Sequence, residues 1–407
     1  MRTDPSPRLV LLGVLLLAVN LRPAAVSVGP VLAEVRADLG LTTATAGLLT
    51  SLPVLAFAGF GAVAPWAARR LGLHRVVLLA LILVGTGLLV RGLVGQQVPF
   101  LLVSLLTLGG MAMANVLMPS LVRRHFPDRV GAVTSLYTTV LAIGLTSAFV
   151  LTVPVADAFG TWRAGLAGWA LLALVAVPAW VLLQGVPRAS APAADAPRTI
   201  GFADVARTRL GWAMVLFFGL QSMLAYAVFG WFATLWRDAG FSASTAGLLV
   251  GALAATSIPM SLWLPRLVAR SAHQGWIVTA VVLCYPVGFL GLALEPASLA
   301  VLWALLVGVG SSVFPIVLVL IGLRARTPEG TAALSGFTQS LGYLLSALGP
   351  FGIGLLYGAS DGWVVPLAAM TAVTVPLLAV GWYVVGQGPV EDQVARLDRA
   401  ARTAPLG

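Results

Sequence analysis

One arginine, Arg22, stands inside the first long apolar stretch of the chain, within Ala18-Val-Asn-Leu-Arg-Pro-Ala24. Leu9 to Val19 are apolar or small, a run that makes only ~16 Å of helix at 1.5 Å per residue. A bilayer core is about 30 Å thick. A helix that crosses it must continue through Asn20, Arg22 and Pro23 to about Ala33. Arg22 is then halfway across or deeper. An arginine at that depth costs at least about 2.5–3.5 kcal/mol on insertion scales, so it faces protein or a watery cavity. All fourteen carboxylates fall in loops or near the ends of apolar stretches, with Glu34 and Asp38 past the end of the first. Arg22 therefore has no obvious acidic neighbour. An uncompensated guanidinium in a polar cavity attracts small anions, and its planar fork suits carboxylate-like or linear ones. Backbone carbonyls or water are the alternative partners.

Other polar residues line up at helical spacing. In the stretch 98–122, Ser104, Thr107, Met111, Asn115 and Met118 form one stripe, with Asn115 deepest. In 331–358, Ser335, Gln339, Tyr343 and Ser346 share a face. The stretch 130–156 carries Thr134 and Thr138, with Tyr137 one step round. The stretch 210–236 carries Gln221, Ser222 and Tyr226, and then Trp231 and Trp236. Trp236, beside Arg237, reads as an interface anchor. Interhelical hydrogen bonding is the competing role for the hydroxyl residues, at about 0.6 kcal/mol each in membranes. Asn20 lies about 200° round an ideal helix from Arg22. Either it fastens the helix to a neighbour, or Pro23 distorts the helix between them.

The elements that must hold these residues are membrane helices. Of the 407 residues, 59% are hydrophobic and 9% charged, against about 25% charged in soluble proteins. Apolar runs recur from end to end without the alternation of a transmembrane β-strand. They give about twelve spans, at 8–35, 43–68, 76–95, 98–122, 130–156, 163–185, 210–236, 243–269, 275–294, 298–323, 331–358 and 362–385. The net charge of +10 is spread over short loops and comes from arginine alone, with no lysine. One side of the array holds Arg69, Arg70, Arg75, Arg123, Arg124, Arg129, Arg188, Arg198, Arg207, Arg209, Arg266, Arg270, Arg324 and Arg326. The other holds Arg36, Arg91, Arg163 and Arg237. The positive side is expected to be cytoplasmic, with both termini on it. This pattern explains the basic balance without nucleic acid. Met1–Val19 has the look of a secretory signal, but no small-residue cleavage site follows cleanly. The lone Cys284 excludes a disulfide within the chain.

The two halves repeat. Thr45-Ala-Gly-Leu-Leu49 returns as Thr245-Ala-Gly-Leu-Leu249, and the same shift carries Asp38 to Asp238 and Pro65 to Pro265. A shift one residue longer carries Trp162 to Trp363. The register implies two parallel six-helix bundles, residues 1–185 and 210–386, that bind substrate between them near the midplane. Residues 186–209, rich in Ala, Pro and Arg, read as a cytoplasmic linker, and 387–407 as a cytoplasmic tail. Within the tail, Glu391 to Arg402 forms either a short surface helix or a frayed end.

The run Asn20-Leu-Arg-Pro23, then Gly29-Pro30, then Ala46-Gly-Leu-Leu-Thr-Ser-Leu-Pro53 resembles the major facilitator superfamily, in its cyanate and nitroimidazole transporter branch. Ala64-Pro65, Arg69-Arg70, Gly72, Met118-Pro-Ser120 and Trp162-Arg163 extend the likeness over nearly the whole chain. The resemblance implies a twelve-helix, all-α transporter fold with spans 1, 4, 7 and 10 around a central cavity. Two departures stand out. Arg69 occupies the place of an Asp that usually precedes the basic residues of that loop. Span 5 lacks the Gly-Pro-x-x-Gly-Gly pattern of drug–proton antiporters, and Gly349-Pro-Phe-Gly352 stands in span 11 instead.

Several chemistries find no residues here. Hydrolase or zinc chemistry needs core His or carboxylate groups, and His74, His125 and His273 read as cytoplasmic loop residues. There is no Walker loop for ATP-driven transport. Without a titrating core residue, the carrier is a facilitator, an anion exchanger, or moves its substrate together with a proton. The expectation is alternating access in the bacterial inner membrane by a monomer without cofactor or metal, its partners a small-molecule substrate and the bilayer. Arg22 holds the substrate, with orienting hydrogen bonds from Asn115, Gln221, Tyr226, Gln339 and Tyr343. Asn20, Tyr137 and Thr138 are further candidates. The cargo is a small anionic or polar solute, cyanate-like, or alternatively a neutral nitroimidazole-type or other small drug-like compound moved outward. A non-transporting receptor is the remaining alternative.

Overall fold

The computed structural model describes residues 6–185 and 200–403. Most of the expected linker, 186–199, lies outside this range, as do residues 1–5 and 404–407. No strand occurs among the described residues. Among these residues, twelve helical spans are long and apolar enough to cross a membrane: Pro7–Leu39, Thr43–Leu71, Leu73–Leu93, Gln97–His125, Ala132–Ala158, Trp162–Leu182, Arg209–Asp238, Ala243–Arg270, Gln274–Leu294, Ala300–Leu323, Glu329–Ser360 and Val364–Val385. They are numbered 1 to 12 below. Span 1 reaches Leu39, so Glu34 and Asp38 lie on its last turns and not beyond it. The face with the tail helix Val390–Thr403 is called the tail face, and the opposite one the distal face.

Five spans change course, and proline explains most of the breaks. A proline removes its own N–H and crowds the carbonyl four residues earlier. Pro259, Pro315 and Pro350 each sit three residues after an interruption, at Thr256 in span 8, Ser312 in span 10 and Ala347 in span 11. Pro23 does the same in span 1: the helix Pro7–Asn20 stops, Leu21 and Arg22 form a turn, and Pro23–Val26 resumes. Span 2 widens into a π turn over Phe57–Gly61, a feature frequent at functional sites.

The chain folds into two pseudo-symmetric six-helix bundles, spans 1–6 and 7–12. They meet along two seams, span 2 against span 11 and span 5 against span 8. Both seams are tight in their distal halves and need glycine. A Cβ on Gly47 would lie 3.0 Å from the Phe351 carbonyl oxygen, and one on Gly247 would lie 2.6 Å from that of Phe149. Small residues let membrane helices approach this closely. These two glycines are the same position of the repeated Thr-Ala-Gly-Leu-Leu. Two polar contacts also cross the distal half: Ser51 Oγ donates to the Ala347 carbonyl at 2.8 Å, and Arg237 pairs with Glu34 at 2.7 Å. Towards the tail face, the half of span 2 from Ala62 to Leu71 packs within its own bundle. The molecule is closed distally and parted towards the tail.

Candidate substrate site

The candidate site lies where span 1 breaks. The turn at Leu21–Arg22 lifts Arg22 out of helical register and leaves it half-buried between the bundles. Its guanidinium faces the Tyr226 hydroxyl of span 7, and the Tyr343 hydroxyl of span 11 is close to both. Tyr343 is stacked on Phe57 of span 2, centroids 4.7 Å apart and planes within 15°, and meets Phe218 edge-on at 4.9 Å. Arg22, Phe57, Tyr226 and Tyr343 each lie near the midpoint of their span. The result is one cation, two phenols and an aromatic wall, drawn from both bundles at mid-depth.

Among the described residues, no carboxylate pairs with Arg22. Its Nε is buried without a hydrogen-bond partner. A half-buried guanidinium with an unused, buried Nε donor is poised for an acceptor with negative charge, since charge-assisted hydrogen bonds are the strong ones. The closed distal seam makes the tail face the open approach.

The other residues singled out from the sequence are placed as follows. Asn20 is 3% exposed. Its amide donates to the Leu16 carbonyl at 2.7 Å and to that of Leu172 in span 6 at 3.0 Å. Both alternatives for this residue hold: Asn20 fastens span 1 to a neighbour, and the helix is broken beside it. Gln221 points into its own bundle, where its Nε2 donates to the Ser311 carbonyl at 3.4 Å. That carbonyl stands four residues before Pro315, which cannot bond it. Gln221 thus satisfies the break in span 10. Gln339 is half-buried and donates to Ser335 Oγ at 2.7 Å. Asn115 is half-buried on span 4, Tyr137 is buried, and Thr138 is exposed with its hydroxyl on the Thr134 carbonyl at 2.9 Å. In the span 4 stripe, Thr107 packs against Gly87 of span 3 and donates to the Val103 carbonyl at 2.6 Å.

Three further expectations need correction. Trp236 is fully buried and meets Phe232 edge-on, so it is core and not an interface anchor. His74 and His125 are not loop residues: His74 lies in the first turn of span 3 and His125 closes span 4, and their Nε2 atoms lie 2.9 Å apart. Arg91, counted with the loop charges, is 1% exposed and inside the distal end of span 3. Like Arg22, it interrupts an apolar run, and that was the signal for it. Phe57 carried no comparable signal, because its stacking on Tyr343 exists only once the bundles meet. Among the described residues, no cluster of three or more His, Cys, Asp or Glu could hold a metal ion.

A sequence model of the Major Facilitator Superfamily matches residues 14–350. The chain is 35% identical to the 2-nitroimidazole transporter of Escherichia coli, over 92% of this chain and 95% of that one. It is 34% identical to the uncharacterized transporter YycB of Bacillus subtilis, over 91% of each. It is 29% identical to the cyanate transport protein CynX of Escherichia coli, over 91% of this chain and 96% of that one. Among solved structures, a bacterial homologue of the human lysosomal transporter Spinster, inward-facing and unoccupied, superposes with a TM-score of 0.75 at 17% identity, covering 100% of both chains. The nucleoside transporter NupG superposes with a TM-score of 0.74 at 15% identity, over 92% of this chain and 99% of that one. With twelve spans in two matching bundles and a match over most of its length, this chain belongs to the Major Facilitator Superfamily, as a secondary transporter of small solutes.

Proposed function

We propose that the cargo is a small monovalent anion of cyanate or carboxylate size, bound at Arg22 and carried by alternating access. The observation that supports this reading best is the Arg22 guanidinium, set at mid-depth between bundles with no acidic partner among the described residues and an unused Nε. Tyr226 and Tyr343 come from the opposite bundle. A bound anion would therefore draw the halves together from either side, as two rocking bundles about a central site require. The arginine-rich tail face is the cytoplasmic one on this reading. Both chain ends are then inside a bacterial inner membrane, and the form described here opens inward. The similarity to CynX agrees with an anion.

One observation favours a second cargo. The Phe57–Tyr343–Phe218 wall beside Arg22 offers ring faces to a flat heterocycle, as the similarity to the 2-nitroimidazole transporter suggests. A nitro group needs only a donor, so a neutral cargo would tolerate loss of the charge.

Thermal stability of the purified protein, measured with cyanate, formate, nitrate and 2-nitroimidazole, separates the two. An anion should raise the melting temperature of the wild type. Arg22→Gln should weaken that anion by about ten- to a hundredfold, the loss of a charge-assisted hydrogen bond of about 1.5–3 kcal/mol. Uptake of the same anion into proteoliposomes should vanish with it. Wild-type affinity for the anion in Arg22→Gln would remove the anion reading. Binding without flux in the wild type would favour a receptor.

A further inference from the structure

Arg91 is the second guanidinium inside this molecule, and nothing in the mid-depth site uses it. It sits in the last turn of span 3 and is 1% exposed. One Nη donates to the Ala24 carbonyl at 3.1 Å. The cation lies 5.5 Å from the centre of the Phe100 ring. Its Nε is buried without a partner, and no carboxylate pairs with it among the described residues. A guanidinium carries five N–H donors. A structural tie to one carbonyl does not account for a full charge kept out of water.

Arg91 also faces a cavity. The space is about 20 Å³, room for one water, and its walls include Val26, Thr50, Leu108, Tyr226 and Phe229. Tyr226 is shared: it borders this cavity and faces Arg22. The distal seam closes over the same place. A Cβ on Gly29 would lie 2.6 Å from the Phe229 carbonyl oxygen, and one on Gly230 would lie 2.9 Å from Thr50 Cβ. Those contacts join spans 1 and 2 to span 7, the pairs of spans that must separate when the molecule opens distally.

We propose that Arg91 is a second, outer station for the transported anion, occupied when the distal seam is open. In the form described here the seam is shut and the station has shrunk to a water-sized space. When Gly29 withdraws from Phe229 and Gly230 from Thr50, the space widens, and Arg91 meets an anion arriving from the distal side. Tyr226 stands between the two stations and passes the anion from Arg91 to Arg22. The apolar walls restrict the station to a small monovalent anion. This inference rests on the anion reading of Arg22.

The test uses labelled cyanate and two vesicle preparations, one presenting the distal face outward and one inverted. Arg91→Gln should raise the KM for cyanate offered to the distal face at least tenfold. The KM from the tail face should change less than threefold. Arg91→Lys, which keeps the charge, should restore the distal KM to within about threefold of wild type. Should Arg91→Gln fail to fold, Leu108→Glu supplies the second variant. It places a carboxylate in the cavity wall, neutralises Arg91 in place, and should raise the distal KM alike. A distal KM within twofold of wild type in Arg91→Gln or Leu108→Glu, while Arg22→Gln abolishes flux, would make Arg91 only a tie to Ala24. Equal rises from both faces would also overturn the outer station. Flux of cyanate that survives Arg22→Gln would instead remove the anion reading itself.

Discussion

Trp363 donates its indole N–H to the Asp238 carboxylate at 2.8 Å. The bond recurs in the other half, where Trp162 donates to Asp38 at 3.2 Å. Each clamps the first span of its bundle to the last on the distal face, so the internal repeat preserves a contact as well as a pattern. The two copies have diverged around the carboxylate: Arg163 pairs with Asp38, while the Tyr357 hydroxyl donates to Asp238 at 2.7 Å.

Removing that carboxylate should loosen one bundle only. Asp238→Ala loses two bonds to a charged acceptor in a partly exposed place. Bonds to charged groups contribute about 1.5–3 kcal/mol when buried, and exposure brings the pair to about 1–2 kcal/mol. The melting temperature in detergent should drop by a few degrees. Asp238→Asn should recover about half of the loss, since a neutral amide oxygen still accepts. A melting temperature unchanged in Asp238→Ala would show that the clamp is idle.

The seam glycines make a graded prediction. A Cβ at position 247 would sit 2.6 Å from a backbone carbonyl, and one at position 47 would sit 3.0 Å from one. Gly247→Ala should therefore hinder distal closure more than Gly47→Ala, and valine at either place more than alanine. The effect is conformational, since each clash exists only in the distally closed form. A cysteine placed on the distal half of span 5 or span 8 should react faster with a membrane-impermeant thiol reagent in these variants. Equal labelling in wild type and Gly247→Val would mean that the seam accommodates the side chain.

The spans were legible because a bilayer demands about twenty apolar residues for each crossing, and nothing else in the chain competes with that signal. The repeat was legible because glycine at 47 and 247, and Asp–Trp pairing, are set by backbone approach and one specific bond. Arg22 was legible for the same reason as the spans, as a charge where hydrocarbon should be. The direction of polar side chains was not. Periodicity assigns Gln221 to a face but cannot say that Pro315, ninety-four residues later, leaves a carbonyl at Ser311 for it to bond. Arg91 carries the same mark as Arg22, but in the last turn of its span, where an arginine reads equally well as a loop charge or a buried one. Phe57 had no local mark, since its role depends on Tyr343 in the other bundle.

The pair between Glu34 and Arg237 at 2.7 Å bridges span 1 to span 7 across the distal face. Both side chains are partly exposed, so the pair contributes about 0.5–1 kcal/mol. That amount shifts a two-state equilibrium by about two- to fivefold. Arg237→Glu should move the population towards the distally open form by at least this factor, because it replaces attraction with repulsion. The double variant Glu34→Arg with Arg237→Glu should return it. Spin labels or fluorophores across the distal ends of spans 1 and 7 would report the distance. Widening that the charge swap fails to reverse would assign the effect to lost packing.

The tail helix supplies a prediction with a pH sign. Glu391 Oε1 accepts from the backbone N–H of Arg326 at 2.9 Å, and from the N–H and hydroxyl of Thr327 at 3.0 and 3.1 Å. Asp392 forks onto the Arg326 guanidinium at 2.6 and 2.9 Å. Burial pulls the Glu391 carboxyl upward, but these hydrogen bonds outweigh it and hold the group below the usual glutamate range. A depressed carboxyl stabilises docking fully above the ordinary value of about 4.3, and the contribution fades as pH falls through the lower, docked value. Between about pH 5 and 8 the tail should therefore stay seated at constant strength. Glu391→Ala should free it across that whole range, seen as faster limited proteolysis after Val385. The Glu391 and Asp392 contacts all lie on the second bundle. Transport by Glu391→Ala should remain within about twofold of wild type. A larger loss would mean that the tail restrains the rocking motion.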